Sequence, residues 1–259
     1  MQSAELTSVG LYAGRYAELY DLFYSDKPYV DEAAFIDQLL RQSASRPIRS
    51  LLELACGTGT NALLMQEKGY SVIATDRSEA MLDCARRKGG GVDFRNQDMC
   101  DLDVPERPFD AVLCLFDSIG YVQTTEAVLR VLRRVNDHLA SGGIFIFEFW
   151  HAPAMLHSFD PVRVRKWPTP MGEVFRITET RLEVDRSLAE VRYTVFDPRA
   201  DGTYRILQES HLNRYFLREE MAGLAGSAGL EAVRWFSGFH ADERITEATW
   251  HVVALLRKP

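Results

Sequence analysis

Leu51-Leu52-Glu53-Leu54-Ala55-Cys56-Gly57-Thr58-Gly59-Thr60 reads as a buried strand that breaks into a glycine turn and starts a helix. Two glycines one residue apart let the backbone approach a ligand where side chains would collide. The helix that follows presents unpaired N–H groups to the same ligand. The turn is therefore a cradle for a nucleoside-type cofactor. The spacing Gly57-x-Gly59-x-x-Ala62 also satisfies the dinucleotide fingerprint, so the residues around it must separate the two cofactor classes.

Outward from this turn, residues 48–149 alternate short apolar runs with amphipathic stretches, the pattern of a doubly wound parallel sheet. It predicts strands at 50–54, 71–75, 92–95, 111–116 and 143–149, with helices at 60–68, 79–87 and 125–139. Ser78 is the expected N-cap of the second helix, and Ala34, Phe35, Leu39 and Leu40 give residues 31–42 the spacing of a lead helix. After Trp150 the prolines Pro153, Pro161, Pro168 and Pro170 suggest an irregular crossing. Three strand-like runs follow at 173–184, 188–196 and 204–216, then a helix at 218–228 and strands at 230–236 and 250–256. The expected architecture is α/β: one core from residues 1–150 and 217–259, with an antiparallel sheet inserted at 151–216 and residues 1–46 forming a lid and lead helix.

A chain of 259 residues, 46% hydrophobic and 26% charged, can bury a large soluble core. Its net charge of −7 argues against a nucleic-acid partner, which calls for a basic footprint. Cys56, Cys84, Cys100 and Cys114 show no C-x-x-C pairing, so neither zinc nor structural disulfides are expected and no metal enters the reading. The start Met1-Gln2-Ser3-Ala4-Glu5-Leu6 lacks a basic, then apolar, leader, and no apolar run reaches membrane-spanning length. A cytoplasmic protein without a membrane partner is the expectation. Edges of the inserted sheet could pair two copies into a homodimer.

The acidic residues decide the cofactor class. Glu53 ends the first strand, where it would repel a pyrophosphate but suits the cationic end of S-adenosylmethionine. Asp76 ends the second strand and can accept both ribose hydroxyls. Asp98 follows the third strand, placed to accept from the adenine amine while Met99 packs on the ring. Ala55, Gly57, Gly59, Arg77, Met81 and Phe116 flank these positions and complete the expected donor contacts.

With these residues the chain resembles the class I S-adenosylmethionine-dependent methyltransferases. Glu18-Leu19-Tyr20-Asp21-Leu22-Phe23-Tyr24, the glycine turn, Phe116-Asp117-Ser118-Ile119-Gly120-Tyr121 and Gln208-Glu209-Ser210-His211-Leu212-Asn213-Arg214-Tyr215-Phe216 make it look like the bacterial N-methyltransferases of nucleotide-linked aminodeoxysugars. The resemblance implies a Rossmann-like sheet, an N-terminal helical lid and an antiparallel insert over the acceptor. It also implies lid tyrosines near the donor's methionine end: Tyr20 and Tyr29 on the donor, Tyr24 toward the acceptor. Two positions depart from the family pattern. Asp117 stands where a second serine is usual, and Ser237-Gly238-Phe239-His240-Ala241-Asp242-Glu243-Arg244 replaces a Gly/Ser/Arg-rich tail loop.

Methyl transfer from a sulfonium needs positioning and water exclusion more than a nucleophilic side chain. An amine must arrive unprotonated, so a carboxylate, phenol or imidazole is wanted beside it. Asp117 and Tyr121 follow the fourth strand on the carboxyl edge of the sheet, and with His211 they are the expected catalytic residues. Trp150, Glu209, Arg214 and His240 are the expected acceptor contacts, whereas Trp167, Trp235 and Trp250 read as packing. The function this supports is methyl transfer to the amine of a small polar metabolite, with a nucleotide-linked amino sugar as the specific form. A small-molecule hydroxyl acceptor and a non-catalytic donor-binding protein are the alternatives. A nicotinamide oxidoreductase is disfavoured by Glu53. Nucleic-acid methylation lacks the Asn/Asp-Pro-Pro-Tyr/Phe loop, since Phe116-Asp117-Ser118-Ile119 occupies its place.

Overall fold

The computed structural model describes residues 6–8, 11–44 and 46–259. The reading of a missing leader concerns residues that lie largely outside these, at 1–5. The chain opens with strand β1 (Leu6–Ser8), helix α1 (Gly14–Phe23) and helix α2 (Tyr29–Ser43). There follow β2 (Ser50–Leu54), α3 (Thr60–Glu67), β3 (Ser71–Asp76), α4 (Glu79–Arg87), β4 (Asp93–Asn96), β5 (Phe109–Cys114), α5 (Thr125–His138) and β6 (Leu139–Trp150). Then come α6 (Ala152–Ser158), β7 (Val162–Thr169), β8 (Gly172–Glu183), β9 (Leu188–Pro198) and β10 (Tyr204–Arg214). Helix α7 (Arg218–Ser227), β11 (Glu231–Ser237) and β12 (His251–Arg257) complete the chain.

A seven-stranded sheet runs in the order β11-β12-β6-β5-β2-β3-β4. Its pairs from β6 to β4 are parallel, while β12 and β11 join antiparallel at one edge. Alternate residues of each strand feed opposite faces. Leu52, Val112, Phe145 and Phe147 pack under α5 and α7. Leu51, Leu113, Ile144 and Ile146 pack under α2 and α3. Ser78 caps α4 as expected, its Oγ accepting the Met81 N–H at 3.3 Å. Among the described residues no helix is long and apolar enough to cross a membrane.

The second sheet has the order β1-β10-β9-β8-β7, antiparallel except where β1 lies parallel to β10. Helix α6 and strand β7 correct the sequence reading of an irregular crossing. Pro153 sits in the first turn of α6, where a missing N–H costs nothing. Pro168 lies in β7 at the sheet's edge, where no second neighbour needs its N–H. Helix α1 joins the two sheets: Tyr16, Leu19 and Phe23 pack on Trp167, Val195 and Leu207, while Ala17 and Tyr20 pack on Met81 and Cys84 of α4.

Candidate functional site

The carboxyl ends of the parallel strands open into a cavity of about 620 Å³ roofed by α1 and the inner face of the second sheet. Open α/β sheets bind their ligands at this edge. Tyr20, Tyr29, Glu53, Ala55, Gly57, Asp76, Arg77, Met81, Asp98, Met99 and Phe116 all line it, which brings together every expected donor contact except Gly59. Gly59 is structural: it caps α3 at φ 74°, and a Cβ there would stand 2.6 Å from the Phe94 ring. Ala55, Phe116 and Asp117 also have positive φ, at 51°, 58° and 56°, so the strand-end loops hold strained backbone beneath the cavity.

Glu53 is the informative carboxylate. It is 2% exposed, and its Oε2 finds no hydrogen-bond partner among the described residues. Burial, and secondarily Asp76, push its carboxyl up to about 8. A cationic group placed there would restore the carboxylate and satisfy the orphan oxygen, which is what the ammonium of the S-adenosylmethionine donor supplies. Asp76 accepts the Gly57 N–H at 2.9 Å and the Ser78 N–H at 2.8 Å, so it also holds the glycine turn in shape. Asp98 caps a short 3₁₀ turn through the Cys100 N–H at 2.8 Å. We expect Glu53→Gln to weaken donor affinity by about 10- to 100-fold through loss of one charge-assisted contact, read by calorimetry. Unchanged affinity would remove Glu53 from the donor site.

The same cavity holds a hydrogen-bonded chain. Glu209 Oε2 lies 2.8 Å from His211 Nε2, and His211 Nδ1 lies 2.9 Å from the Tyr121 hydroxyl, which also meets the hydroxyl of Tyr12. A carboxylate only accepts, so it fixes the proton on Nε2 and leaves the Nδ1 lone pair to Tyr121. Glu209 also accepts the backbone N–H of Tyr12 at 3.1 Å, tying the entry to α1 into the same chain. Burial, reinforced by Tyr193, pushes the Tyr121 phenol well above its ordinary value, so it stays protonated.

Asp117 belongs to a different cluster. His251 Nδ1 lies 2.9 Å from Asp117 Oδ2 and 3.0 Å from Glu148 Oε1. Burial pushes the Asp117 carboxyl up, although His251 opposes the shift. The two carboxylates outweigh the desolvation of His251 and raise the imidazole well above its ordinary range. Glu148 is held low by His251 and by the Phe116 N–H, despite its burial. This cluster has metal-type ligands, but its imidazolium already balances carboxylate charge, and we read it as an ion network in the cavity wall.

Tyr24, Trp150, Asp117, Tyr121 and His211 line the cavity as expected. Glu209 stands behind His211 and away from the lining. Arg214 turns outward to Glu220 at 2.5 Å and to Thr125 at 3.2 Å. His240 is exposed beside Glu243 and outside the cavity. Trp250, read as packing, lines the cavity, as do Tyr12, Arg176, Tyr193 and His251, which the sequence reading passed over. Strand parity was the missed signal for Arg176: it shares a face with Val174, Thr178 and Thr180, all buried.

Residues 51–143 match the family model described as a methyltransferase domain. Over 223 residues, 85% of this chain and 85% of the relative, the sequence is 32% identical to a dTDP-3-amino-3,6-dideoxy-alpha-D-glucopyranose N,N-dimethyltransferase of Streptomyces fradiae. A dTDP-3-amino-3,4,6-trideoxy-alpha-D-glucopyranose N,N-dimethyltransferase of Streptomyces venezuelae is 33% identical over 85% of this chain and 92% of its own. Among solved structures, Streptomyces venezuelae DesVI superposes with a TM-score of 0.77 at 28% identity, covering 94% of this chain and 99% of that one. The sequence is thus similar to named methyltransferases over most of its length, and the chain belongs to the class I S-adenosylmethionine-dependent methyltransferases.

Proposed function

We propose that this enzyme methylates the amine nitrogen of a nucleotide-linked aminodeoxysugar. The observation that carries the reading is the buried chain Tyr121–His211–Glu209, a proton acceptor with its own counter-charge in the same cavity as Glu53. The relatives named above act on dTDP-linked 3-amino sugars, which agrees with it. When bound, S-adenosylmethionine supplies a methyl carbon already activated by its sulfonium. What remains for the protein is to free the acceptor's lone pair and exclude water. Tyr121 Oη accepts the proton leaving the amine while its own proton passes to His211 Nδ1. The imidazolium so formed faces the Glu209 carboxylate.

In this reading α1 and the turn before it form the lid, α2 is the lead helix packed on the sheet, and residues 151–216 cover the acceptor. Glu209 couples the two by holding the N–H groups of Tyr12 and Ala13. The test compares turnover on a nucleotide-linked 3-amino sugar and on the analogue with hydroxyl in place of the amine, following the demethylated donor. Turnover on the amine alone is expected, and equal turnover on the hydroxyl analogue would contradict nitrogen as the acceptor.

A further inference from the structure

Arg176 is a buried cation whose hydrogen bonding, to Tyr24, is incomplete. It is 5% exposed, and its Nε and Nη1 have no hydrogen-bond partner. Among the described residues no carboxylate forms an ion pair with it; the rings of Phe23, Tyr24, Trp167 and Tyr193 surround its guanidinium carbon at 4.8–5.3 Å. Cation–π contacts recover only part of what desolvating a guanidinium costs, and buried donors left unmade are expensive. Yet the side chain lines the cavity. Such an arrangement is completed by an anion entering from the cavity.

Its neighbours fit that role. Across the β7–β8 pairing Arg165 stands opposite Arg176 and Arg163 opposite Thr178, and all four line the cavity. Arg165 is engaged by Asp26 at 2.6 Å, which leaves Arg163 at the exposed end of the face. Tyr193 measures the distance to the proton acceptor: its ring centre is 5.0 Å from the Arg176 guanidinium carbon and 5.0 Å from the His211 ring centre. The cation and the imidazole are thus separated by one aromatic ring. That interval suits an acceptor carrying an anionic group and an amine on one sugar ring. The tail loop at 237–244, with Asp242, Glu243 and an exposed His240, offers no such buried cation.

We propose that Arg176, with Arg163 at the cavity mouth, forms the subsite for the diphosphate of the acceptor, an assignment that rests on the nucleotide-linked reading above. Oxyanion oxygens take the orphan Nε–H and Nη1–H, and the second sheet rather than the tail loop sets the choice for an anionic acceptor.

The test is calorimetry of the wild-type enzyme, Arg176→Gln, Arg176→Lys and Arg163→Gln with thymidine diphosphate, with thymidine and with S-adenosylmethionine as the folding control. The proposal expects wild type to bind thymidine diphosphate at least about 10-fold tighter than thymidine. It expects Arg176→Gln to erase that difference, Arg163→Gln to reduce it and Arg176→Lys to keep part of it, with donor affinity unchanged in each. A preserved preference for the diphosphate in Arg176→Gln and Arg163→Gln would overturn the subsite while leaving the nucleotide-linked reading standing. Absence of any diphosphate preference in wild type would overturn that reading, and the subsite with it.

Discussion

Replacing His211 by phenylalanine lowers turnover by about 10²- to 10⁴-fold while donor affinity stays at the wild-type level. His211 is 1% exposed and has one hydrogen bond on each ring nitrogen, so its replacement by an apolar ring removes the proposed proton acceptor and leaves volume nearly conserved. Tyr121→Phe interrupts the same chain one atom closer to the cavity, and its loss adds little to that of His211 because the two act in series. The pH dependence separates catalysis from packing. In His211→Phe the amine must lose its proton to water before it attacks, so the variant's rate climbs with pH through the acceptor's own titration and recovers part of the deficit. A uniform deficit at all pH values, or turnover near wild type, would remove His211 from the reaction.

Gly120→Ala carries the largest expected cost in stability. An ideal Cβ at this position would lie 1.6 Å from Asn213 Oδ1 and 2.7 Å from the Arg214 carbonyl oxygen. Asn213 is 4% exposed and the carbonyl is backbone of β10, so neither yields without moving the strand that carries His211. Overpacking of this kind costs about 3 kcal/mol, on the order of 10 °C in Tm for a chain of this size. Thermal denaturation checks it, and a melting temperature within about 2 °C of wild type would show that the turn relaxes freely. The close approach of Gly120 to β10 is what presses Tyr121 onto His211 across the two sheets, so stability and turnover fall together.

The parallel core was legible because local pattern and tertiary demand coincide there. The strand 50–54 is apolar on both faces, Ser78 precedes an amphipathic helix, and three strand ends carry Glu53, Asp76 and Asp98, all of which line the cavity. Helix α6 and strand β7 were hidden because proline was read as a breaker. Its positions, one in a helix's first turn and one on a sheet edge, are the places where it breaks nothing. The acceptor side was half legible. His211 and Tyr121 stood out individually, but their union with Tyr12 joins residues nearly two hundred positions apart, and no periodicity encodes it. Asp117, placed with the catalytic residues because of its strand-end position, lines the cavity and is paired with His251 of the last strand. Arg214 was taken for a cavity residue through its neighbourhood to His211; three residues along a strand, it falls on the opposite face, beside Glu220.

In the proposed reaction one cavity brings a methyl donor at Glu53 and an amine at Tyr121 into register. Incubating the enzyme with donor carrying an isotope-labelled methyl group and a nucleotide-linked 3-amino sugar, then locating the label by nuclear magnetic resonance, tests it most directly. The label is expected on the sugar nitrogen. Label on an oxygen, or an unlabelled sugar under conditions where both ligands bind, would contradict it.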